Sequence, residues 1–464
     1  MTAPPNYLTI AEASRRIASN ELSPVQLVQA CLDRIDAIDG QLNSFVLLLR
    51  DEALAQAREA ETAIMHGETR GPLHGIPIGL KDIFETAGIR TTGCSHLRLD
   101  HVPTQDATTA RKLRDAGAIL LGKLATHEFA VGGPSFDLPF PPARNPWNTA
   151  NSPGGSSSGS AAAVAAGLCL GALGTDTGAS VRAPAAFCGL VGLKPTYGRV
   201  SRAGVFPLVY SMDNCGPLTW SVEDCALMLN AIAGHDPRDP ASYAGPVPNY
   251  ASTLTGDIKG LRIGVVRHFY QDDQATSPET RTAIDAAVSM FADLGAIVED
   301  VRLSPLDDYH ACAVVIILSE AFAVHQRDLQ TRPRDYGEFF RHRVMVGAFI
   351  GASDYVQATR LRRILRTEMD RALQTYDVLL TATTSGPAPK IEDVPKFGLI
   401  ENPLLTTPAN VTGHPALSVC CGFSKSGLPL AMQLIGRHFD EATVLMVGDA
   451  YEQATPWREH RPNL

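Results

Sequence analysis

The chain has 464 residues, is 45% hydrophobic and 19% charged, and carries a formal net charge of −9. That length can bury a sizeable core without disulfide or metal staples, and the balance excludes global disorder. The negative sign argues against a polyanion such as a nucleic acid as a direct partner.

In chain order, residues 8–38 read as helix. Thr9 with Glu12 has the form of a capping box, and Ser23-Pro24 opens a second helix with Val25, Leu27, Val28, Cys31, Leu32 and Ile35 on helical spacing. A third helix over 51–66 stops at Gly67. Pro72–Asp82 then alternates, placing Ile76, Ile78 and Leu80 on one face and Pro77, Gly79 and Lys81 on the other. Predicted helices at 107–117, 160–167, 222–234, 278–294 and 441–453 are interleaved with strands at 118–122, 168–174, 261–266, 296–301, 378–382, 415–421 and 432–436. Helix dominates 311–373, and the proline-rich stretch 135–148 reads as a loop. The alternation implies an α/β fold with a large mixed, mostly parallel central sheet covered by helices on both faces. One domain spans 1–464, with residues 1–70 as an N-terminal helical layer and 71–464 as the catalytic core.

The nine cysteines are scattered, odd in number and free of a C-x-x-C pair, which suits a reducing compartment. Met1-Thr-Ala-Pro-Pro-Asn6 has no basic region followed by an apolar run, so no secretory leader is expected. The longest apolar runs, 161–173 and 311–318, are too short to cross a bilayer. A cytoplasmic protein without membrane association is the expectation.

The chemistry concentrates in Asn151–Thr196, where two Gly/Ser-rich turns flank a short helix and an apolar run. Gly154 and Gly159 have P-loop spacing, but Ser160-Ala161 stand where Lys-Ser/Thr is required, and no G-x-G-x-x-G follows a strand. The thirteen histidines form no H-E-x-x-H. His127 lacks a second histidine nearby, and His325, on an apolar stretch, reads as a core residue. No metal is expected. A hydroxyl nucleophile fits better. Ser180 follows a strand at a helix start, with Thr177-Gly178-Ala179 before it, so backbone N–H groups converge there. Serving only as an N-cap is the bland alternative for Ser180. No G-x-S-x-G elbow surrounds it. Lys81 ends an apolar strand with Gly79 leaving space beside it, and burial could hold it neutral as a base. A solvated surface charge is the bland alternative there.

Taken together, the motifs resemble those of the amidase signature enzymes. The resemblance runs through Gly75-Ile-Pro-Ile-Gly-Leu-Lys81-Asp82, Gly122-Lys-Leu-Ala-Thr-His-Glu-Phe129, Asn145-Pro-Trp147 and Gly154-Gly-Ser-Ser157. It continues in Gly174-Thr-Asp-Thr-Gly-Ala-Ser180-Val-Arg182, Phe187-Cys-Gly-Leu-Val-Gly-Leu-Lys-Pro-Thr196, Asn410-Val-Thr-Gly-His-Pro-Ala-Leu-Ser418 and Gly427-Leu-Pro-Leu-Ala-Met-Gln-Leu-Ile-Gly436. It implies a Ser–cisSer–Lys triad: Ser180 as nucleophile, Lys81 as base and Ser156, after a cis bond from Gly155, as proton relay. It further implies an oxyanion hole from the N–H groups of Thr177, Gly178, Ala179 and Ser180, with Ser157, Asp176 and Arg182 holding the loops, and no cofactor. Ala179 and Ser158 stand where the family pattern has glycines. An alanine resists positive φ, so position 179 is either not left-handed or strained, and its methyl would narrow the acyl pocket.

The expected activity is a serine-type amidohydrolase acting on non-peptide carbon–nitrogen bonds: an amide, with anilide, carbamate or urea in the same class. The alternatives are the glutaminase-type A subunit of a tRNA-dependent amidotransferase and a non-catalytic binding protein of the same fold. Loop 135–148 and region 311–373 are expected to shape the pocket. Met345, Phe349, Ile316 and Ile317 are candidates for an apolar wall, against ordinary core packing. Arg341 and Arg343 are candidates to bind a substrate carboxylate, against surface charge. The partners expected are a small amide-like substrate and at most a second copy of the chain, with neither nucleic acid nor membrane.

Overall fold

A computed structural model describes residues 4–464; Met1–Ala3 of the stretch read for a leader lie outside the described residues. Eleven strands form one sheet: β1 (Phe45–Leu48), β2 (Pro77–Lys81), β3 (Ile119–Leu124), β4 (Gly171–Asp176), β5 (Val191–Lys194), β6 (Asn214–Thr219), β7 (Arg262–Val265), β8 (Ile297–Asp300), β9 (Val378–Ala382), β10 (Ala416–Phe423) and β11 (Pro429–Gly436). Their order is β1-β3-β2-β4-β6-β5-β10-β11-β9-β7-β8. The large mixed sheet is the one expected, but its balance differs. Pairings β2–β3, β2–β4, β7–β8 and β7–β9 are parallel, whereas β1–β3, β4–β6, β5–β6, β5–β10, β10–β11 and β9–β11 are antiparallel. The shift comes from β1, β5 and β6. They are short or carry glycine and proline, and they show neither alternation nor a strand-to-helix period.

Every residue of β2, β4, β6, β9 and β11 is buried. Side chains of a strand point alternately to its two faces, so this sheet is covered on both. The helices Arg182–Cys188, Pro278–Asp293 and Glu441–Ala454 all pack on β10 and β11. At the front, Thr9 and Glu12 complete the capping box of helix Ile10–Ala18, and Ser23 and Gln26 complete that of Pro24–Leu42. Leu27, Val28, Cys31 and Leu32 are fully buried in the same apolar core as the strands. Each large apolar side chain so buried contributes about 1.5–3 kcal/mol. Region 311–373 resolves into Leu306–Thr331, Glu338–Val344 and Ala352–Thr375. By length and composition Leu306–Thr331 could cross a membrane. In the fold it packs along Ala352–Thr375 and buries Tyr309, Cys312, Ile316 and Ile317.

Candidate active site

The site is set by one register. β2 and β4 are parallel neighbours, so their carboxyl ends open at the same edge of the sheet. Lys81 is the last residue of β2, and β4 ends at Asp176, just before the turn Thr177–Ser180. Crevices outside the carboxyl ends of parallel strands are where open α/β sheets bind ligands. Gly79 does not open room for Lys81. A Cβ there would lie 2.3 Å from Leu124 Cδ1, so the glycine makes way for a neighbouring strand's side chain.

Lys81 is fully buried. Its Nζ donates to Ser156 Oγ at 2.7 Å and to Thr175 Oγ1 at 2.8 Å, so its hydrogen-bonding partners are hydroxyls and not carboxylates. Burial pushes its pKa down to about 7, against the opposing pull of Asp176 and Asp213. The surface-charge alternative for Lys81 is therefore excluded. Thr175 was not legible as a partner, because a strand threonine gives no signal of which neighbour its hydroxyl meets.

The Gly155–Ser156 peptide is cis. The Ser156 carbonyl accepts the His127 N–H at 3.0 Å, and the Ser157 N–H donates to the Ser180 carbonyl at 3.3 Å, which ties the two Gly/Ser turns together. Ser157 Oγ donates to the Thr175 carbonyl and accepts the Thr175 N–H, both at 3.3 Å. A Cβ on Gly155 would lie 2.0 Å from His127 Cε1, so the imidazole occupies the space a side chain would need. Ser158, at the start of helix Ser158–Ala165, points its Oγ to the Ala125 carbonyl.

The turn Thr177–Ser180 is held from below. Asp176 Oδ2 accepts the Val181 and Arg182 N–H groups, and the Arg182 guanidinium grips both carboxylate oxygens at 3.0 Å. That pair, fully buried, holds the Asp176 carboxyl down at about 2 against its desolvation. Arg182 also donates to the Thr406 carbonyl, Gln433 Oε1 and Asn410 Oδ1. Thr177 Oγ1 donates to Asp213 at 2.6 Å, and Thr406 Oγ1 donates to the Gly178 carbonyl at 2.7 Å. Among the described residues the N–H groups of Thr177, Gly178, Ala179 and Ser180 have no hydrogen-bond partner, so all four are free for a ligand oxygen. Ala179 is not at positive φ, which removes strain as a consequence of its methyl.

A cavity of about 410 Å³ opens over Ser156 and Ser180. Of the predicted wall, Arg343 and Ile317 line it. Ile316 is buried in the core, and Met345 and Phe349 lie outside the lining, Phe349 being 87% exposed. The helix Glu338–Val344 gives way to a tighter turn, Met345–Phe349, which carries those two residues off the face that holds Arg343. Arg341, also outside the lining, donates to the Pro333 carbonyl. Loop 135–148 lines a small separate pocket instead, through Leu138, Phe140 and Ala143. The outer wall comes from Thr383–Thr406, together with His127 and Gln274. His325 is the core histidine expected, bonded through Nδ1 to Tyr336 and packed among Phe129, Phe206 and Phe340. Sequence spacing gives no hint of one grouping, Asp370, His414 and His438. The two rings stack 3.9 Å apart, and both present Nε2 to Asp370 Oδ1, at 3.1 Å from His414 and 3.6 Å from His438.

A family model described as Amidase matches residues 26–445. The A subunit of the glutamyl-tRNA(Gln) amidotransferase of Moorella thermoacetica is 40% identical, with 99% of each chain covered. Among solved structures, a chain from a vestigial protein complex linked to the origins of an s-triazine catabolic enzyme superposes with a TM-score of 0.90 at 34% identity, covering 96% of this chain and 98% of that one. The peptide amidase of Stenotrophomonas maltophilia superposes with a TM-score of 0.86 at 32% identity, covering 98% of each. These likenesses overturn the expectation of a chain whose partners are a small molecule and at most its own copy. The amidotransferase relative is one subunit of a larger enzyme, and the s-triazine relative belongs to a protein complex. They favour the alternative of an amidotransferase A subunit over that of a stand-alone hydrolase. By the extent of the match, from residue 26 to 445, the chain belongs to the amidase signature family, enzymes of carbon–nitrogen bond hydrolysis and amide transfer.

Proposed function

We propose that the chain hydrolyses the carbon–nitrogen bond of a small amide through an acyl-enzyme on Ser180, and does so as the A-type subunit of a larger assembly. The observation that carries the chemistry is Lys81 Nζ, fully buried, 2.7 Å from Ser156 Oγ and poised near neutrality. Neutral Lys81 draws a proton through Ser156 from Ser180 as Ser180 attacks the carbonyl carbon. The four free N–H groups of Thr177–Ser180 receive the developing oxyanion. Ser156 then delivers the proton to the departing nitrogen, and water releases the acid from Ser180. Ser157, Asp176 and Arg182 hold the two turns in register. The relatives named as amidotransferase A subunits support the subunit reading, in which the nitrogen released passes to a partner. A self-contained amidase is the second reading, favoured by the likeness to the peptide amidase and to a bacterial aryl acylamidase. Nine free cysteines support a reducing compartment such as the cytoplasm.

The test is mass spectrometry of the intact protein with amides, anilides, carbamates and ureas. An acyl adduct on Ser180 is expected, absent in Ser180→Ala and slowed in Lys81→Ala and Ser156→Ala. Wild-type turnover in Ser180→Ala would refute the assignment. Turnover by the isolated chain at the rate of the assembly would select the second reading.

A further inference from the structure

The cavity over Ser180 has a one-sided charge pattern. Among the described residues its lining contains a single charged side chain, Arg343, and no aspartate, glutamate or lysine. Arg343 is 5% exposed and pairs with no carboxylate. Its Nε and its two terminal nitrogens each give one N–H to a backbone carbonyl, of Lys396, Gly132 and Pro395 respectively. A guanidinium has five N–H groups, so two remain, one on each terminal nitrogen. Those three carbonyls fix the fork between the Gly132 turn and the outer wall.

The nearest acids are already engaged. Asp176 is gripped by Arg182 and Asn410, and Asp213 accepts from Thr177, Leu208 and Val209. Glu128 accepts from Ser95 and Gly337. The positive field of Arg343 also reaches the floor of the cavity. His127, packed against Gly155, has its pKa held down to about 3, first by burial and next by Arg343. The other polar groups of the lining, such as Gln274, Thr383, Ser385 and Asn402, are neutral.

We infer that the substrate is a small amide bearing a carboxylate and no ammonium group, with Arg343 receiving that carboxylate while Ser180 attacks the amide carbon. This rests on the proposal that Ser180 is the nucleophile. A buried cation without a counter-ion is costly, and a substrate carboxylate supplies the missing partner by a bidentate bond. An α-amino acid amide brings an ammonium into the same chamber, where it meets a like charge and no acid. The class is therefore the half-amide of a dicarboxylic acid, and not a free amino acid such as glutamine.

The experiment uses matched pairs: glutaramate against glutamine, and succinamate against asparagine, with valeramide as the neutral control. Wild-type protein, with its partner subunit where that is required, is assayed for Ser180 acylation and for kcat/KM. The des-amino amide of the better pair is expected to exceed its amino acid by roughly tenfold or more, from the unpaired charge alone. Arg343→Met should lower kcat/KM for the anionic amide and leave valeramide within a few-fold of wild type, and Arg343→Lys should recover part of the loss. Equal or faster turnover of glutamine overturns the inference while Ser180 chemistry stands. A loss in Arg343→Met that falls equally on valeramide makes Arg343 a structural tie, and the wild-type pair comparison then decides alone. Absence of Ser180 acylation by every amide removes both the inference and the reading beneath it.

Discussion

Replacing Lys81 with methionine separates its chemical role from its energetic one. Burial lowers the Lys81 pKa from 10.5 to about 7. Between those values the folded protein holds Lys81 neutral while the unfolded chain binds a proton there. Unfolding therefore takes up a proton, and wild-type stability rises with pH across that window by about 1.4 kcal/mol per pH unit. Below about pH 7 the full penalty of charging the buried amine is present. Lys81→Met is close in length, carries no charge and lacks this dependence. Methionine also forfeits the bonds to Ser156 and Thr175, which shifts the comparison by about 1 kcal/mol each but independently of pH. Lys194, whose pKa burial also takes to about 7, is present in both proteins and cancels in their difference. Urea unfolding of the two proteins at several pH values, extrapolated to water, measures that difference. From about pH 7, where the folded amine is still half protonated, to about pH 9 it should move in favour of wild type by about 2.3 kcal/mol. Turnover by the variant should drop roughly a thousandfold, as expected for removal of a general base. A stability difference that stays flat across that range refutes the reasoning: Lys81 would then be charged in the folded protein and unfit as a base.

Arg182→Met leaves the Asp176 carboxylate buried without its ion pair and should destabilise the protein by about 3–5 kcal/mol, read as a fall in Tm; an unchanged Tm would mean the pair is replaced from elsewhere. Gly155→Ala puts a Cβ 2.0 Å from His127 Cε1 and should depress kcat roughly a hundredfold, with partial recovery in the His127→Ala double variant. Equal activity in the two Gly155→Ala backgrounds rejects the clash. Ala179 lines the cavity at an unstrained φ, so Ala179→Gly should raise kcat/KM for bulkier acyl groups and leave small ones unchanged. An acyl-chain profile identical to wild type sinks that idea.

The residues nearest the chemistry are legible because their motifs combine small residues with one buried charge, and few other uses need that combination. Lys81, Ser156 and the Thr177–Ser180 turn, the residues the resemblance names, come together at one edge of the sheet. The rim is not legible. Met345 and Phe349 belong to a wall only on the premise of one continuous helix face, whereas the chain tightens at Met345 and turns that face away from Arg343. The wall from Thr383 to Thr406 is mostly irregular, has neither period 2 nor 3.6, and gets its position from distant strands. β6 escapes a reading by pattern for a related reason: Asn214-Cys-Gly-Pro-Leu-Thr219 has weak strand propensity and forms because β4 and β5 lie on either side. The sheet's parallel share is overstated by pattern because β1, β5 and β6, which carry no strand pattern, make four of the six antiparallel pairings.

The wall between Thr383 and Thr406 is pinned at its two ends and stitched to the rest of the fold between them. At one end the Thr383 N–H bonds the Ala431 carbonyl, and its hydroxyl meets Ser418 at 3.2 Å. At the other, Thr406 receives Arg182 through its carbonyl and steadies Gly178 through its hydroxyl. Between those anchors the carbonyls of Ser385, Ala388, Pro389, Pro395 and Ile400 accept hydrogen bonds from Ser277, Asn151, Ser152, Arg343 and His310, so the span is a fitted part of the fold. A graft of residues 384–405 from another member of the family would therefore have to bring matching partners for Asn151, Ser152, Ser277, His310 and Arg343, or the wall over Ser180 would lose its place.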